Sequence, residues 1–166
     1  MSWLALVLGL VALQRLAELV WSRRNERRLR QAGALEAGRS HYPLLVGLHA
    51  GWLAAMLVLI PHETIPDPWL LAAYAGVQGL RLWTMASLGR FWTTRILTLP
   101  EAPLVRRGPY RWVRHPNYLV VIAEIALLPL ALGAVWIALI FSAANLILLF
   151  VRIRAEDAAL APRRSL

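Results

Sequence analysis

The sequence predicts an all-α, polytopic membrane protein with about five transmembrane helices, and three observations lead to this fold class. Hydrophobic residues make up 59% of the 166 residues and the mean hydropathy is +0.56, which is more than one small soluble core can bury. Apolar runs close to the roughly 20 residues that cross a bilayer recur along the chain. All 18 basic residues are arginines, and they gather between these runs. We expect a single domain covering residues 1–166.

The predicted spans follow one another through short connections, at roughly 2–21, 42–61, 69–88, 117–133 and 134–151. The first run has no basic segment before it and no convincing cleavage site after it, so it is interpreted as a retained span rather than a signal peptide. The arginine-rich stretch behind it is expected to continue the helix as far as Gly33. The last two runs predict a tight helical hairpin that turns near Gly133.

The distribution of the arginines predicts the orientation of the spans. Arginines are frequent in the first and third connections and in the C-terminal tail, and absent from the second connection and the hairpin turn. Because basic loops stay on the cytoplasmic side, the N-terminus is expected outside and the C-terminus inside. The protein is therefore predicted to be a multi-pass cell-membrane protein whose third connection and tail share the cytoplasmic face.

Composition also excludes several classes of function. The chain has no cysteine, so disulfides, thiolate metal sites and cysteine nucleophiles are excluded. Its four histidines are scattered without a metal-binding spacing, so no metal site is expected. The net charge of +9 does not indicate a nucleic-acid binder, because the arginines alternate with apolar runs. The expected partners are membrane lipids; five short spans are also compatible with an oligomer.

A polar segment precedes the fourth span: residues 101–118 read EAPLVRRGPYRWVRHPNY. Three prolines and a glycine exclude one continuous helix and predict a shaped loop. Pro116 suits the first helical turn, whose free N–H groups attract a carboxylate. The alternative interpretation is an interfacial anchor of arginine and aromatic side chains.

A second polar segment, RIRAED at 152–157, follows the predicted hairpin and should therefore lie beside this loop. Spacing alone favours local salt bridges between Arg152 and Glu156 and between Arg154 and Asp157. Proximity to the loop favours a charged clamp for a zwitterionic ligand.

Glu124 lies inside the fourth predicted span. A carboxylate at that depth is costly, which makes it a functional candidate. The competing interpretation is a Glu paired with a polar residue of another span, with Arg15, Gln14, Arg81 or Asn145 as candidates, and the sequence leaves both open.

The stretch LVRRGPYRWVRHPNYL, followed about 35 residues later by RIRAED, resembles the isoprenylcysteine carboxyl methyltransferase family of integral-membrane methyltransferases. The resemblance implies that the loop and the helix after the hairpin enclose S-adenosylmethionine. By position it implies cofactor contacts from a set of eight residues: Leu104, Val105, Tyr110, His115, Pro116, Asn117, Tyr118 and Glu156. It associates Arg152 with the substrate and with catalysis.

The resemblance also bears on the methyl acceptor. Val120 and Asp157 depart from the family pattern, and the chain looks more like small bacterial members that O-methylate long-chain alkylpyrones or alkylresorcinols. We expect a lipophilic acceptor that is oriented by Arg152 or Arg154. Glu124 is the candidate proton acceptor and substrate contact if the acceptor is a phenol or enol. Three alternatives stay open: carboxyl methylation of a prenylcysteine-like substrate, an NADPH-dependent membrane reductase, and a non-catalytic lipid-binding protein.

Overall fold

The computed structural model describes residues 2–165, with side chains up to Arg163, and it is mainly helical. Five α-helices lie within these residues: α1 (Trp3–Gln31), α2 (Tyr42–Leu59), α3 (Pro68–Leu88), α4 (Pro116–Ala131) and α5 (Val135–Leu160). Two short strands, β1 (Leu35–Ala37) and β2 (Ile96–Thr98), pair antiparallel with Glu36 opposite Leu97. The all-α prediction is therefore correct for the bundle, and the two-stranded sheet is an addition to it.

The helix boundaries follow local signals in the sequence. α1 begins after Ser2, whose hydroxyl accepts a hydrogen bond from the Ala5 N–H at 3.2 Å, and it ends before Gly33, which has a φ of 87°. α4 begins at Pro116, where a missing N–H removes no helical hydrogen bond. Gly133, with a φ of 71°, turns the chain between α4 and α5. The predicted extension of the first helix, the first-turn proline and the hairpin turn are confirmed.

Among the described residues, three helices are long and apolar enough to cross a membrane: Trp3–Gln31, Tyr42–Leu59 and the run Val135–Arg163. α4 is apolar but has only 16 residues. α3 has 21 residues and is less apolar, because polar side chains such as Gln78 and Arg81 interrupt it. Together with the exposed apolar faces of the helices, this composition describes a helical membrane protein.

Residues 32–41, 89–115 and 161–165 lie at one end of the bundle, which we call the polar end, and the arginine-rich last turns of α1 lead into it. There the β1–β2 pair joins the first and third connections. At the opposite end the Asp67 N–H donates to the Ala131 carbonyl at 2.7 Å. α4 packs between α3 and α5, and a buried apolar cluster that includes Trp52, Met56 and Leu128 fills the space between the helices.

Candidate cofactor site

A cavity of about 430 Å³ opens at the polar end, between the loop that precedes α4 and the C-terminal half of α5. This volume lies within the range of small-molecule and cofactor sites. Eight residues singled out in the sequence line it: Leu104, Val105, Tyr110, His115, Asn117, Tyr118, Arg152 and Glu156. The hairpin thus brings the loop and the helix after it together around one space.

A hydrogen-bonded chain joins the start of α4 and the residue before it to α5 across this cavity. The Tyr118 hydroxyl donates to Glu156 Oε2, and Arg152 Nε donates to the Tyr118 hydroxyl oxygen at 3.0 Å. His115 Nε2 lies 3.2 Å from Asp157 Oδ1, and the imidazole stacks on the Tyr118 ring at 5.4 Å between centroids. The Tyr118 hydroxyl and the His115 imidazole thus contact Glu156 and Asp157 of α5 across the cavity.

The third connection positions Arg152 from its other side. Arg152 is buried, and its Nη2 donates to the Thr94 carbonyl at 2.7 Å. The Thr94 N–H donates to Ser22 Oγ at 2.8 Å, and Thr94 Oγ1 lies 3.1 Å from the Tyr42 hydroxyl. Residues from α1, α2 and α5 thus meet at Thr94, which fixes the Arg152 guanidinium at the cavity wall.

The loop is held in place by side chains that the sequence did not single out. Arg163 Nε donates to the Ala102 carbonyl at 2.7 Å and Nη2 to the Pro103 carbonyl at 3.1 Å. Asn25 Nδ2 donates to the carbonyls of Gly89 and Trp92 at 2.9 and 2.8 Å. These bonds satisfy carbonyls of irregular backbone. No motif marks them, because the side chain and its backbone partner lie 60 or more residues apart.

Ion pairs stabilise the β1–β2 sheet beside the cavity. Glu36 accepts hydrogen bonds from Arg30 Nη2 and Arg95 Nη1, both at 2.6 Å. Burial alone would raise the pKa of Glu36, but the hydrogen bonds from these two arginines outweigh it and lower the pKa. Arg95, which also lines the cavity, is therefore held at its edge by an ionised carboxylate.

Polar groups of the cavity wall fit S-adenosylmethionine, which carries an ammonium, a carboxylate and a sulfonium. Asn117 Oδ1 is buried and has no hydrogen-bond partner among the described residues, and a buried acceptor of this kind calls for a donor. Glu156 supplies an anionic oxygen, and arginines at the same wall supply cations. Burial, and to a lesser extent the negative charge of Glu156, raises the pKa of Tyr110, so this phenol stays neutral.

Three residues of the predicted site lie outside the cavity lining: Pro116, Arg154 and Glu124. Pro116 is buried at the start of α4 and shapes the backbone between His115 and Asn117. Arg154 is exposed, with its guanidinium over the Phe150 ring at 5.5 Å.

Glu124 is fully buried and belongs to a second polar cluster. Its Oε2 accepts hydrogen bonds from Arg15 Nη2 at 2.8 Å and Arg81 Nη1 at 3.0 Å. Both arginines also donate to Glu18, at 3.1 Å from Arg15 and at 2.6 and 2.5 Å from Arg81. Glu124 is thus paired with arginines of two other helices, which is one of the two interpretations that the sequence left open. Its Oε1 is buried without a partner among the described residues.

The fold and cavity define a class of protein: a helical membrane protein with a polar cavity, lined by arginines and a carboxylate, at one end of its bundle. Over residues 70–162 the chain matches the model of the isoprenylcysteine carboxyl methyltransferase (ICMT) family. The chain belongs to this family, whose members are membrane methyltransferases.

Two bacterial relatives cover most of the chain. It is 42% identical over 165 residues to a Bacillus subtilis (strain 168) protein named Uncharacterized protein YpbQ, with 96% of each chain covered. It is 28% identical over 142 residues to a Haemophilus influenzae (strain ATCC 51907 / DSM 11121 / KW20 / Rd) protein named Uncharacterized protein, covering 82% of this chain and 83% of that one. No solved structure matches the chain.

Proposed function

We propose that the protein transfers a methyl group from S-adenosylmethionine to an oxygen of a lipophilic acceptor at the cytoplasmic membrane face. The observation that carries the proposal is that residues before and after the hairpin line the same cavity. The eight of them singled out in the sequence each match a position of the family motif. Family membership supports the cofactor, and the exposed apolar helix faces support an acceptor that arrives through the bilayer.

When bound, S-adenosylmethionine supplies a methyl group on a sulfonium sulfur, and the protein supplies orientation and exclusion of water. Glu156, which already accepts a hydrogen bond from Tyr118, would hold the ammonium group of the cofactor. Asn117 Oδ1 would accept a further donor, and a cavity arginine would hold the carboxylate. Leu104 and Val105 would cover the apolar part of the cofactor.

Arg152 would orient the oxygen of the acceptor. Its Nε and Nη2 are committed to Tyr118 and Thr94, which leaves Nη1 as the donor for a carboxylate, phenolate or enolate oxygen. A carboxylate acceptor needs no base. A phenol or enol must lose its proton, and Glu124 stays the predicted proton acceptor for that case, to be tested on its own.

The test is transfer of a labelled methyl group. Purified protein in lipid nanodiscs is given methyl-labelled S-adenosylmethionine with a long-chain alkylresorcinol, alkylpyrone or fatty acid, and label is counted in the organic extract. We expect transfer to at least one acceptor, and a loss on the order of a hundredfold in Arg152→Gln, since misplacing a reactant costs about that much. Arg24→Gln, an exposed arginine of α1, is the control. Folded protein that methylates none of the three would contradict the proposed acceptor class.

A further inference from the structure

A second, open cleft of about 640 Å³ adjoins the candidate cofactor cavity. Three arginines line it, Arg90, Arg106 and Arg107, and its remaining lining residues are apolar or proline, including Leu88 and Phe91. We propose that this cleft binds an anionic phospholipid, with the phosphate on the arginines and the first part of an acyl chain on the apolar wall.

The charge of the cleft is uncompensated. Its lining residues contain no acidic side chain, and none of the three arginines forms an ion pair within the described residues. The Arg90 guanidinium lies over the Phe91 ring at 4.9 Å, and Arg107 Nε donates to the Ser87 carbonyl at 2.8 Å. Two of the guanidinium groups are thus held in place with N–H groups to spare, the arrangement that binds a phosphate through several hydrogen bonds.

The position of the cleft favours a lipid over a soluble phosphate. Leu88 is the last residue of α3, and the preceding turns of that helix expose Leu82 and Trp83. Trp83 packs against the exposed Trp112 at 6.0 Å between ring centroids, a pair typical of the headgroup level of a bilayer. Arg90 follows Trp83 by seven residues, just beyond the end of α3, and Arg106 and Arg107 line the same cleft, so the arginines are close to the level at which lipid phosphates are expected.

The cleft adjoins the candidate methyl-transfer site and shares five lining residues with it: Leu88, Phe91, Leu104, Val105 and Arg106. Arg90, Pro103 and Arg107 line the cleft alone, and a bound lipid would stabilise the same loop that the cofactor contacts. The proposal does not depend on the cofactor or on catalysis, because lipid binding is measured without either of them.

The experiment is native mass spectrometry of the detergent-purified protein titrated with phosphatidylglycerol or phosphatidylcholine. We expect phosphatidylglycerol to bind more tightly, and Arg90→Gln/Arg106→Gln to weaken it by roughly tenfold or more, as two lost arginine contacts near a headgroup predict. The control with equal charge loss is Arg27→Gln/Arg28→Gln, on the exposed surface of α1. Arg90→Lys/Arg106→Lys, which keeps the charge, should retain the preference and shows that the cleft has folded.

Three results would overturn the proposal. One is equal binding of the two lipids. Another is an equal loss of phosphatidylglycerol affinity in the cleft variant and the α1 variant, because that would indicate unspecific attraction to positive charge. The third is complete displacement of the lipid by millimolar inorganic phosphate that also binds alone, which would assign the arginines to a free anion.

Discussion

Arg152 illustrates how single residues build the candidate site. Its guanidinium connects the Thr94 carbonyl of the third connection with the Tyr118 hydroxyl of α4. The motif identified Arg152, Tyr118 and Glu156 because they lie in two short, unusual polar segments. Thr94 and Ser22 could not be identified in this way, since an ordinary hydroxyl residue acquires its role only from the distant partners that the fold provides.

Gly108 gives a prediction at the same scale. It has a φ of 56°, and a Cβ at this position would lie 2.0 Å from Ser87 Oγ and 2.9 Å from Ser87 Cβ. Gly108→Ala should therefore lower the free energy of unfolding by about 2 kcal/mol or more, from backbone strain and overpacking combined. We expect a lower apparent Tm in detergent by thermal-shift measurement.

Gly133→Ala is the matched control for this change. Gly133 also has a positive φ, of 71°, but a Cβ there would meet nothing within 4 Å. Gly133→Ala should lower the free energy of unfolding by about 1 kcal/mol, because only backbone strain contributes. Equal losses in the two variants would show that contact between the loop and α3 at Ser87 does not restrict the residue at 108.

At the scale of elements, the charged cluster of Glu18, Arg15, Arg81 and Glu124 joins α1, α3 and α4 inside the bundle. Glu124→Gln leaves two arginines with one carboxylate, and breaking a buried pair in this way costs about 3–5 kcal/mol. We expect a marked fall in apparent Tm, partly recovered in Glu124→Gln/Arg81→Gln. Glu26→Gln, which removes a partner of the half-exposed Arg30, should cost only about 0–1 kcal/mol.

The same variant tests the proton-acceptor role of Glu124. Folded Glu124→Gln that methylates a phenolic acceptor at the full rate would remove that role and leave the carboxylate with the structural one. A variant as stable as the parent, but inactive on phenols and active on carboxylates, would contradict the structural role instead.

Elements differ in how far the sequence predicts them. The helices and the loop before α4 were predictable, because apolar run length, proline and glycine act locally. The β1–β2 pair was not, since each strand has three residues and is stabilised by the ion pairs of Glu36 with Arg30 and Arg95. The partners of Glu124 were narrowed to a few candidates, and the choice among them depended on helix rotation, which a single sequence does not specify.

At the scale of the whole molecule, the arginines at the polar end predict that this end lies on the cytoplasmic side. The chain contains no cysteine, so a single introduced cysteine is the only thiol that a maleimide can label. Under a membrane-impermeant maleimide, Glu63→Cys in the second connection should react in intact cells. Glu101→Cys in the third should react only after permeabilisation. The reverse pattern would invert the orientation and place the cofactor cavity outside the cell.

The most direct test of the central claim, that the cavity between the loop and α5 binds S-adenosylmethionine, is calorimetric titration of the purified protein. We expect binding of S-adenosylmethionine and of its demethylated product, weakened about 10- to 100-fold in Glu156→Ala, because a hydrogen bond to a charged group contributes about 1.5–3 kcal/mol. Glu101→Ala, an exposed carboxylate, should bind like the parent. Folded protein that binds neither compound, and binds a reduced nicotinamide dinucleotide instead, would contradict the account.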